Sequence, residues 1–455
     1  MSPGVDVKAL VLEAWEHNLP TATGPLAAED LTLLGRFRSA HDAAFDGMAS
    51  LFVQHQLAPF NARVQAMCEN GLDPSHTWFV DIPYSTNEDV QARLYSSPVP
   101  AAHCARRHCD PFVCYSGEQR ARVDEILRRM AGEGTDAPVL VIDDGAYILQ
   151  ALVDAQPDVR ERFRHARVVE QTTRGHRFLE SATGHQVIQE LGIAAVTVAR
   201  SATKTRFEAP AIGAAVASAI RNAVKGRRDA VPREGPLRVL VIGYGSVGEA
   251  SALAVRRFDG ETAIDVVETD RYKREEAARQ GFGTLGVVPG SVVPGRESSF
   301  RYDWVIGCTG GTSFTKEHLG ILADGAFLVS GSSAAVEFDR ASLVEQADRD
   351  GTDDFWIVND RSKDATNIRT DIAFQLHEKR FTILHAGFPV NFNGEPEHIP
   401  TSLIAPTHCL LYAAARQAVA HDTPGLRLLE PAVDHWILEK SLEHLRSVMC
   451  AAPRM

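Results

Sequence analysis

From about Ala27 to Met67 the chain is nearly free of Gly and Pro, and apolar residues recur at Leu31, Leu34, Phe37, Ala40, Ala44 and Met48. That spacing predicts one or two amphipathic helices. Short β-branched and apolar runs follow at Thr77 to Ile82, Val139 to Ile142, Val168 to Glu170 and Ala194 to Val198, separated by helical stretches such as Gly117 to Met130. Strand and helix in alternation predict a mostly parallel sheet covered on both faces. After a polar, Pro-containing connector, Arg227 to Pro236, the pattern restarts with strands expected at Leu237 to Ile242, Ile264 to Glu268, Trp304 to Gly307, Phe327 to Ser330, Phe355 to Val358 and Phe381 to Leu384. Five or six strands with intervening helices make a second complete doubly wound unit. The Ala-rich stretch Ala209 to Ala223 predicts a packed helix between the domains, and His435 to Met449 predicts a C-terminal one.

Composition narrows the function classes. The 455 residues are 44% hydrophobic and 23% charged, which suits folded domains and excludes a disordered chain. Asp and Glu outnumber Lys and Arg by 59 to 47, a net charge of −12 that disfavours nucleic acid and anionic lipid as partners. Asp6, Lys8, Glu13 and Glu16 interrupt the first twenty residues, so no secretory signal is read there. No apolar run approaches the roughly 18 residues that a membrane crossing needs. A cytoplasmic protein with reduced thiols at its seven cysteines is expected. His103, Cys104, His108, Cys109 and Cys114 cluster, but without a standard ligand spacing, so no metal site is assigned to 103–114.

The sharpest chemical signal lies in mid-chain. Val239-Leu240-Val241-Ile242 runs straight into Gly243-Tyr244-Gly245-Ser246-Val247-Gly248, with a helix predicted from Glu249 to Arg257. In that context Gly243 permits a tight turn, Gly245 lets a pyrophosphate approach the helix N-terminus, and Gly248 allows close helix–strand packing. Glu268, twenty residues after Gly248, ends the next strand, where a carboxylate can accept hydrogen bonds from an adenosine ribose. Its charge would repel a 2′-phosphate. NAD is therefore expected over NADP.

With the cofactor fingerprint in mid-chain, a substrate domain comes first, and its motifs resemble those of the S-adenosylhomocysteine hydrolase family. In order they are Tyr84-Ser85-Thr86-Asn87-Glu88-Asp89, Ile142-Asp143-Asp144-Gly145, Glu170-Gln171-Thr172-Thr173 with His176, Thr203-Lys204-Thr205-Arg206-Phe207-Glu208, the Gly-Tyr-Gly loop, Cys308-Thr309-Gly310, and Val390-Asn391 with His398. The likeness runs from about His55 to His398 and is remote between motifs. It implies an α/β protein of two doubly wound parallel-sheet domains, the second a Rossmann NAD-binding domain, with a C-terminal helical tail. The expected divisions are 1–208, completed by about 399–430, for the substrate domain, 209–398 for the NAD domain and 431–455 for the tail.

The resemblance also implies roles. Lys204 matches a lysine assisting oxidation of a sugar 3′-hydroxyl, and Glu208 stands where the family has an Asp that holds ribose and lysine. His55 and Asp144 match a proton-transfer pair, and Glu170 and His398 match substrate-binding residues. Thr172, Thr173 and Asn391 match contacts to the nicotinamide half of NAD, joined by Thr309 and by Gly243, Gly245, Ser246, Val247, Gly248 and Glu268 of the dinucleotide loop. The sugar is oxidised so that a neighbouring C–H becomes acidic enough for a protein base to remove it. A homo-oligomer acting on a small nucleoside is implied as well.

This chain departs from the family at informative places. The polar residues that recognise adenine are replaced by Leu57, Ala58, Pro59 and Phe60, an Asn after the acid is Ala209, a His is Ser333, and the family's C-terminal tail motif is missing. A divergent enzyme is expected, eliminating water or a thiol from a nucleoside in secondary metabolism. Adenosylhomocysteine hydrolysis proper and an NAD-bound regulatory protein without turnover are the two alternatives.

Overall fold

The computed structural model describes residues 6–17, 19–35, 42–96, 98–105, 115–225, 235–285, 301–350, 355–358, 369–376 and 379–451. Phe37, Ala40, His108, Cys109, Cys114 and positions 227–234 of the connector lie outside them. The chain forms two compact units: one comprises Met1–His108, Ser116–Glu208 and Gly394–Met455, and the other Ala209–Asn393 with a short segment ending at Tyr115.

The first unit is built on six parallel strands: β1 (Ala49–Gln54), β2 (Thr77–Asp81), β3 (Val139–Asp143), β4 (Arg167–Glu170), β5 (Ala194–Thr197) and β14 (Gly425–Leu428). Their order is β14-β5-β4-β3-β1-β2, with every neighbouring pair parallel. β1 corrects the reading of Ala27 to Met67 as wholly helical. Leu51, Phe52 and Val53 are fully buried between two strands, and among the described residues of this region two short 3₁₀ turns, Ala28–Asp30 and Thr32–Leu34, precede the strand and the helix Ala58–Cys68 follows it. A central strand covered on both faces is apolar at consecutive positions, so periodicity does not separate it from a buried helix. Its core joins Phe52, Phe60 and Phe79 to Leu410, Leu411 and Tyr412 of the Thr401–Ala420 helix. The strand β14 was not legible in advance: it is an edge of four residues, GLRL, with a weak apolar signal.

The second unit holds β6 (Arg238–Ile242), β7 (Ala263–Val267), β8 (Gly283–Leu285), β9 (Tyr302–Gly307), β10 (Leu322–Ser330), β11 (Phe355–Val358), β12 (Asp371–Leu376) and β13 (Lys379–Ile383). Their order is β11-β12-β13-β10-β9-β6-β7-β8, parallel from β8 to β13, with β12 and β11 added antiparallel. The parallel part has the 3-2-1-4-5-6 succession of a Rossmann sheet. Sequence reading missed β8, three residues starting with Gly, and β12, which pairs antiparallel with β13. The Ala-rich helix Ala209–Lys225 lies in this unit against Ser246–Phe258, where a Cβ on Gly213 would stand 2.4 Å from the Ala250 carbonyl carbon. The chain is thus an α/β protein of two doubly wound sheets, ending in the helix Pro431–Ala451.

Candidate active site

Open α/β sheets bind ligands where the strand order reverses, outside the carboxyl ends of the strands. In the first unit that point lies between β1 and β3. His55 follows β1 directly and Asp144 follows β3 directly, and the parallel register of Phe52 with Ile142 brings them across the crevice. His55 Nε2 is 3.6 Å from Asp144 Oδ2. Ser85 Oγ donates to the Ile82 carbonyl at 2.8 Å and lies 2.6 Å from His55 Nδ1, so Nδ1 carries the hydrogen and Nε2 is the basic nitrogen facing Asp144. Burial pushes His55 below its ordinary range, opposed by the Asp144 charge, and the same burial pushes Asp144 up against the pull of His55 and Lys204. Burial therefore favours the neutral imidazole, which can take a proton.

A second pair completes this site. Lys204–Glu208 is a single π-helical turn, a geometry found mostly at functional sites, and it sets Lys204 Nζ 2.8 Å from the Glu208 carboxylate. Two residues that the sequence did not single out hold the turn. Thr407 Oγ1 donates to Glu208 Oε2 at 2.6 Å, and Asp434, at the start of the last helix, accepts from the N–H groups of Ala202 and Thr203 and from the Thr203 hydroxyl. The charges of Lys204 and Glu208 reach both His55 and Asp144. His398 belongs to the same unit, close enough to feel His55, and burial lowers it to about 3.

Glu170 ends β4 with its carboxylate fully engaged. Its oxygens accept from the N–H groups of Gly145, Ala146 and Thr172 and from the Thr172 hydroxyl. Gly145 and Ala146 have φ of +123° and +54°, so the carboxylate braces a loop in the left-handed region that positions Asp144. Thr172 caps the Thr173–Glu180 helix through the Gly175 N–H at 3.0 Å, and Thr173 opens that helix.

The second unit has its own reversal point, between β6 and β9. Gly243 has φ +93°, and a Cβ there would meet the Cys308 carbonyl oxygen at 2.7 Å; one on Gly248 would meet the Gly243 oxygen at 1.9 Å. A Cβ on Gly245 would meet nothing within 4 Å, leaving the approach to the helix N-terminus open. Ser246 and Val247 form the first turn of that helix, whose N-cap, Gly245, offers no side-chain cap. Its N–H groups are therefore available to an anion. Glu268 stands just beyond β7 and accepts from the Tyr244 N–H at 2.7 Å and the Asp270 N–H at 2.9 Å. Burial raises its pKa, but those hydrogen bonds and the Lys273 charge outweigh it and hold the group ionised below its usual range. A residue missed in advance, buried Glu337, accepts from the N–H groups of Thr309 and Gly310, both at 2.7 Å, and fixes the loop after β9. Asn391 is buried in this unit near its end. Open backbone N–H groups at a helix N-terminus, with an ionised carboxylate beyond the next strand, form a set that fits NAD.

Among the described residues no cluster of His, Cys, Asp and Glu could hold a metal ion, and no helix is long and apolar enough to cross a membrane. His103 is stacked on Trp78 at 3.7 Å and bonded to Glu133 at 2.5 Å.

No family model matches the chain. Two uncharacterized proteins from two strains of Mycobacterium tuberculosis are each 27% identical over 424 residues, spanning 90% of this chain and 72% of theirs. Among solved structures the chain is similar to a dipicolinate synthase chain from Bacillus halodurans, with 10% identity, 66% of this chain and 88% of that one covered, and a TM-score of 0.37. The dipicolinate synthase chain from Bacillus subtilis aligns at 10% identity over 90% of this chain and 98% of that one, with a TM-score of 0.34. L-tryptophan dehydrogenase from Nostoc punctiforme aligns at 13% identity over 58% and 72%, with a TM-score of 0.27. The Rossmann assignment rests on the strand order itself.

Proposed function

We propose that this chain is an NAD-dependent enzyme that transiently oxidises the 3′-hydroxyl of a nucleoside and eliminates a β substituent, water or a thiol. The observation that carries the reading is the meeting, in one unit, of two separate acid–base pairs, His55 with Asp144 and Lys204 with Glu208. One pair can serve the hydroxyl and the other the C–H bond that oxidation activates.

NAD bound at the Gly243–Gly248 loop and Glu268 would supply a reversible two-electron acceptor. Lys204 Nζ, oriented by Glu208, exchanges the proton of the sugar hydroxyl as it becomes a carbonyl. A hydrogen on the adjacent carbon is then acidic. His55 Nε2 takes that proton, and the buried Asp144 beside it, with its raised pKa, protonates the leaving group. Glu170, whose oxygens already accept four hydrogen bonds, serves by bracing the Asp144 loop. His398, Thr172, Thr173, Thr309 and Asn391 are assigned to binding substrate and cofactor, and the assembly to a homo-oligomer in the cytoplasm.

Mixing the NAD-loaded chain with a panel of nucleosides and following the reduced-nicotinamide absorbance tests this reading. Transient growth of the band, with products lighter by water or a thiol, supports it. Release of adenosine and homocysteine from adenosylhomocysteine would assign full hydrolysis instead. A silent band with every nucleoside would leave a cofactor-bound protein without turnover.

A further inference from the structure

Beside His55, three polar side chains are placed where the protein does not satisfy them. Gln54 ends β1, Arg63 lies on the helix Ala58–Cys68 immediately after it, and His408 follows Thr407 on the helix Thr401–Ala420. Arg63 is fully buried. Its Nη2 donates to Gln54 Oε1 at 2.7 Å, and its guanidinium lies 5.3 Å from the centre of the Phe60 ring. Arg63 Nε and Nη1, Gln54 Nε2 and His408 Nδ1 are buried without a hydrogen-bond partner. A buried guanidinium left this way is costly, because its donors lose water and gain nothing. The set adjoins the catalytic pairs: Gln54 directly precedes His55, and His408 directly follows Thr407, which donates to Glu208.

The chemistry of the orphaned atoms defines their missing partner. The orphaned atoms of Arg63 and Gln54 are all N–H donors, Gln54 Oε1 accepting from Arg63. Among the orphaned atoms His408 Nδ1 is the one that can accept, in the tautomer that carries the ring hydrogen on Nε2. The complement is a group with clustered acceptors and one adjacent N–H. The edge of a 6-oxopurine has this pattern, with O6 and N7 as acceptors, the pairing that arginine most often makes with guanine, and N1–H as the donor. Adenine presents the reverse, an amino donor at C6 and a bare N1. A uracil ring sets its two acceptors, O4 and O2, on either side of N3–H and has a C5–H where the purine has N7, so it offers no adjacent acceptor pair to one guanidinium edge.

We propose that Gln54, Arg63 and His408 form a base-recognition subsite that takes a 6-oxopurine nucleoside, inosine or guanosine, in preference to adenosine. The proposal rests on the nucleoside reading above and specifies its substrate.

Calorimetric binding of inosine, guanosine, adenosine and uridine to the NAD-loaded full chain tests it, alongside the reduced-nicotinamide signal. The wild type is expected to bind inosine or guanosine at least about tenfold more tightly than adenosine or uridine. Arg63→Met, close in volume, is expected to bring that ratio near one with its melting temperature retained. If that variant does not fold, Gln54→Leu and the wild-type ratio decide. Equal or tighter binding of adenosine or uridine overturns the subsite, as does an unchanged ratio in Arg63→Met, which would mean that the donors are satisfied by buried water. Cofactor reduction by adenosine alone sinks this inference and leaves the proposed function standing; silence with every nucleoside sinks both.

Discussion

Thr407 Oγ1 and Lys204 Nζ share one carboxylate: the hydroxyl donates to Glu208 at 2.6 Å and the ammonium lies 2.8 Å from it. The threonine sits 199 residues after the glutamate, on a helix the chain reaches only after completing the second unit. Thr407→Val removes the hydroxyl at nearly constant volume and frees the Glu208 carboxylate to turn. Sugar oxidation is expected to fall about 10- to 100-fold, the cost of one hydrogen bond to a charged acceptor. The pH–rate profile is expected to move as well, and Thr407→Ser to restore both. A normal profile in Thr407→Val would make the contact merely structural.

Lys204→Ala is expected to keep NAD and lose oxidation of the sugar hydroxyl, since the lysine lies in the first unit and the dinucleotide loop in the second. Single-turnover absorbance at the reduced-nicotinamide band measures it. Undiminished oxidation removes the lysine from the mechanism.

Glu268→Ser tests the cofactor assignment. The carboxylate is oriented by the N–H groups of Tyr244 and Asp270, and its charge opposes a 2′-phosphate. NAD binding is expected to weaken about tenfold while NADP binding improves, read by fluorescence titration of both. Equal loss for both cofactors would place the residue in loop structure alone.

Packing gives a prediction independent of function. Gly213 and Ala250 bring two helices of the second unit so close that any Cβ at 213 overlaps backbone. Gly213→Val is expected to destabilise by about 1–3 kcal/mol through overpacking, measured by chemical denaturation. A neutral result would mean that the helices separate freely.

Glu397 gives a pH signature. It is buried, accepts from the Ala22 N–H and the Thr401 hydroxyl, and burial raises it from 4.5 to about 7. A carboxyl raised in the folded state stabilises fully below its unfolded pKa and loses that contribution as pH rises through the folded one. The stability of Glu397→Gln relative to wild type is therefore expected to climb between about pH 4.5 and 7, by a few kcal/mol at most, and then level off. Melting curves across that range check it; a constant difference would place the carboxyl in a solvated setting.

The sequence by itself determined the alternation of strands and helices, the restart at Leu237 and the dinucleotide loop, because each is local: a glycine at φ +93° and the helix it opens are encoded within a dozen residues. It also offered His55, Asp144, Lys204 and Glu208 as chemistry-bearing candidates. Only the tertiary structure decided what surrounds them. That β1 interrupts the expected N-terminal helix follows from burial between two neighbours, which periodicity cannot register. The tautomer of His55 depends on Ser85, the orientation of Glu208 on Thr407, and the loop of Asp144 on Glu170, each bond joining residues far apart in the chain. Hydrogen bonds and charge act over a few ångströms of space, whereas sequence patterns report only neighbours along the backbone.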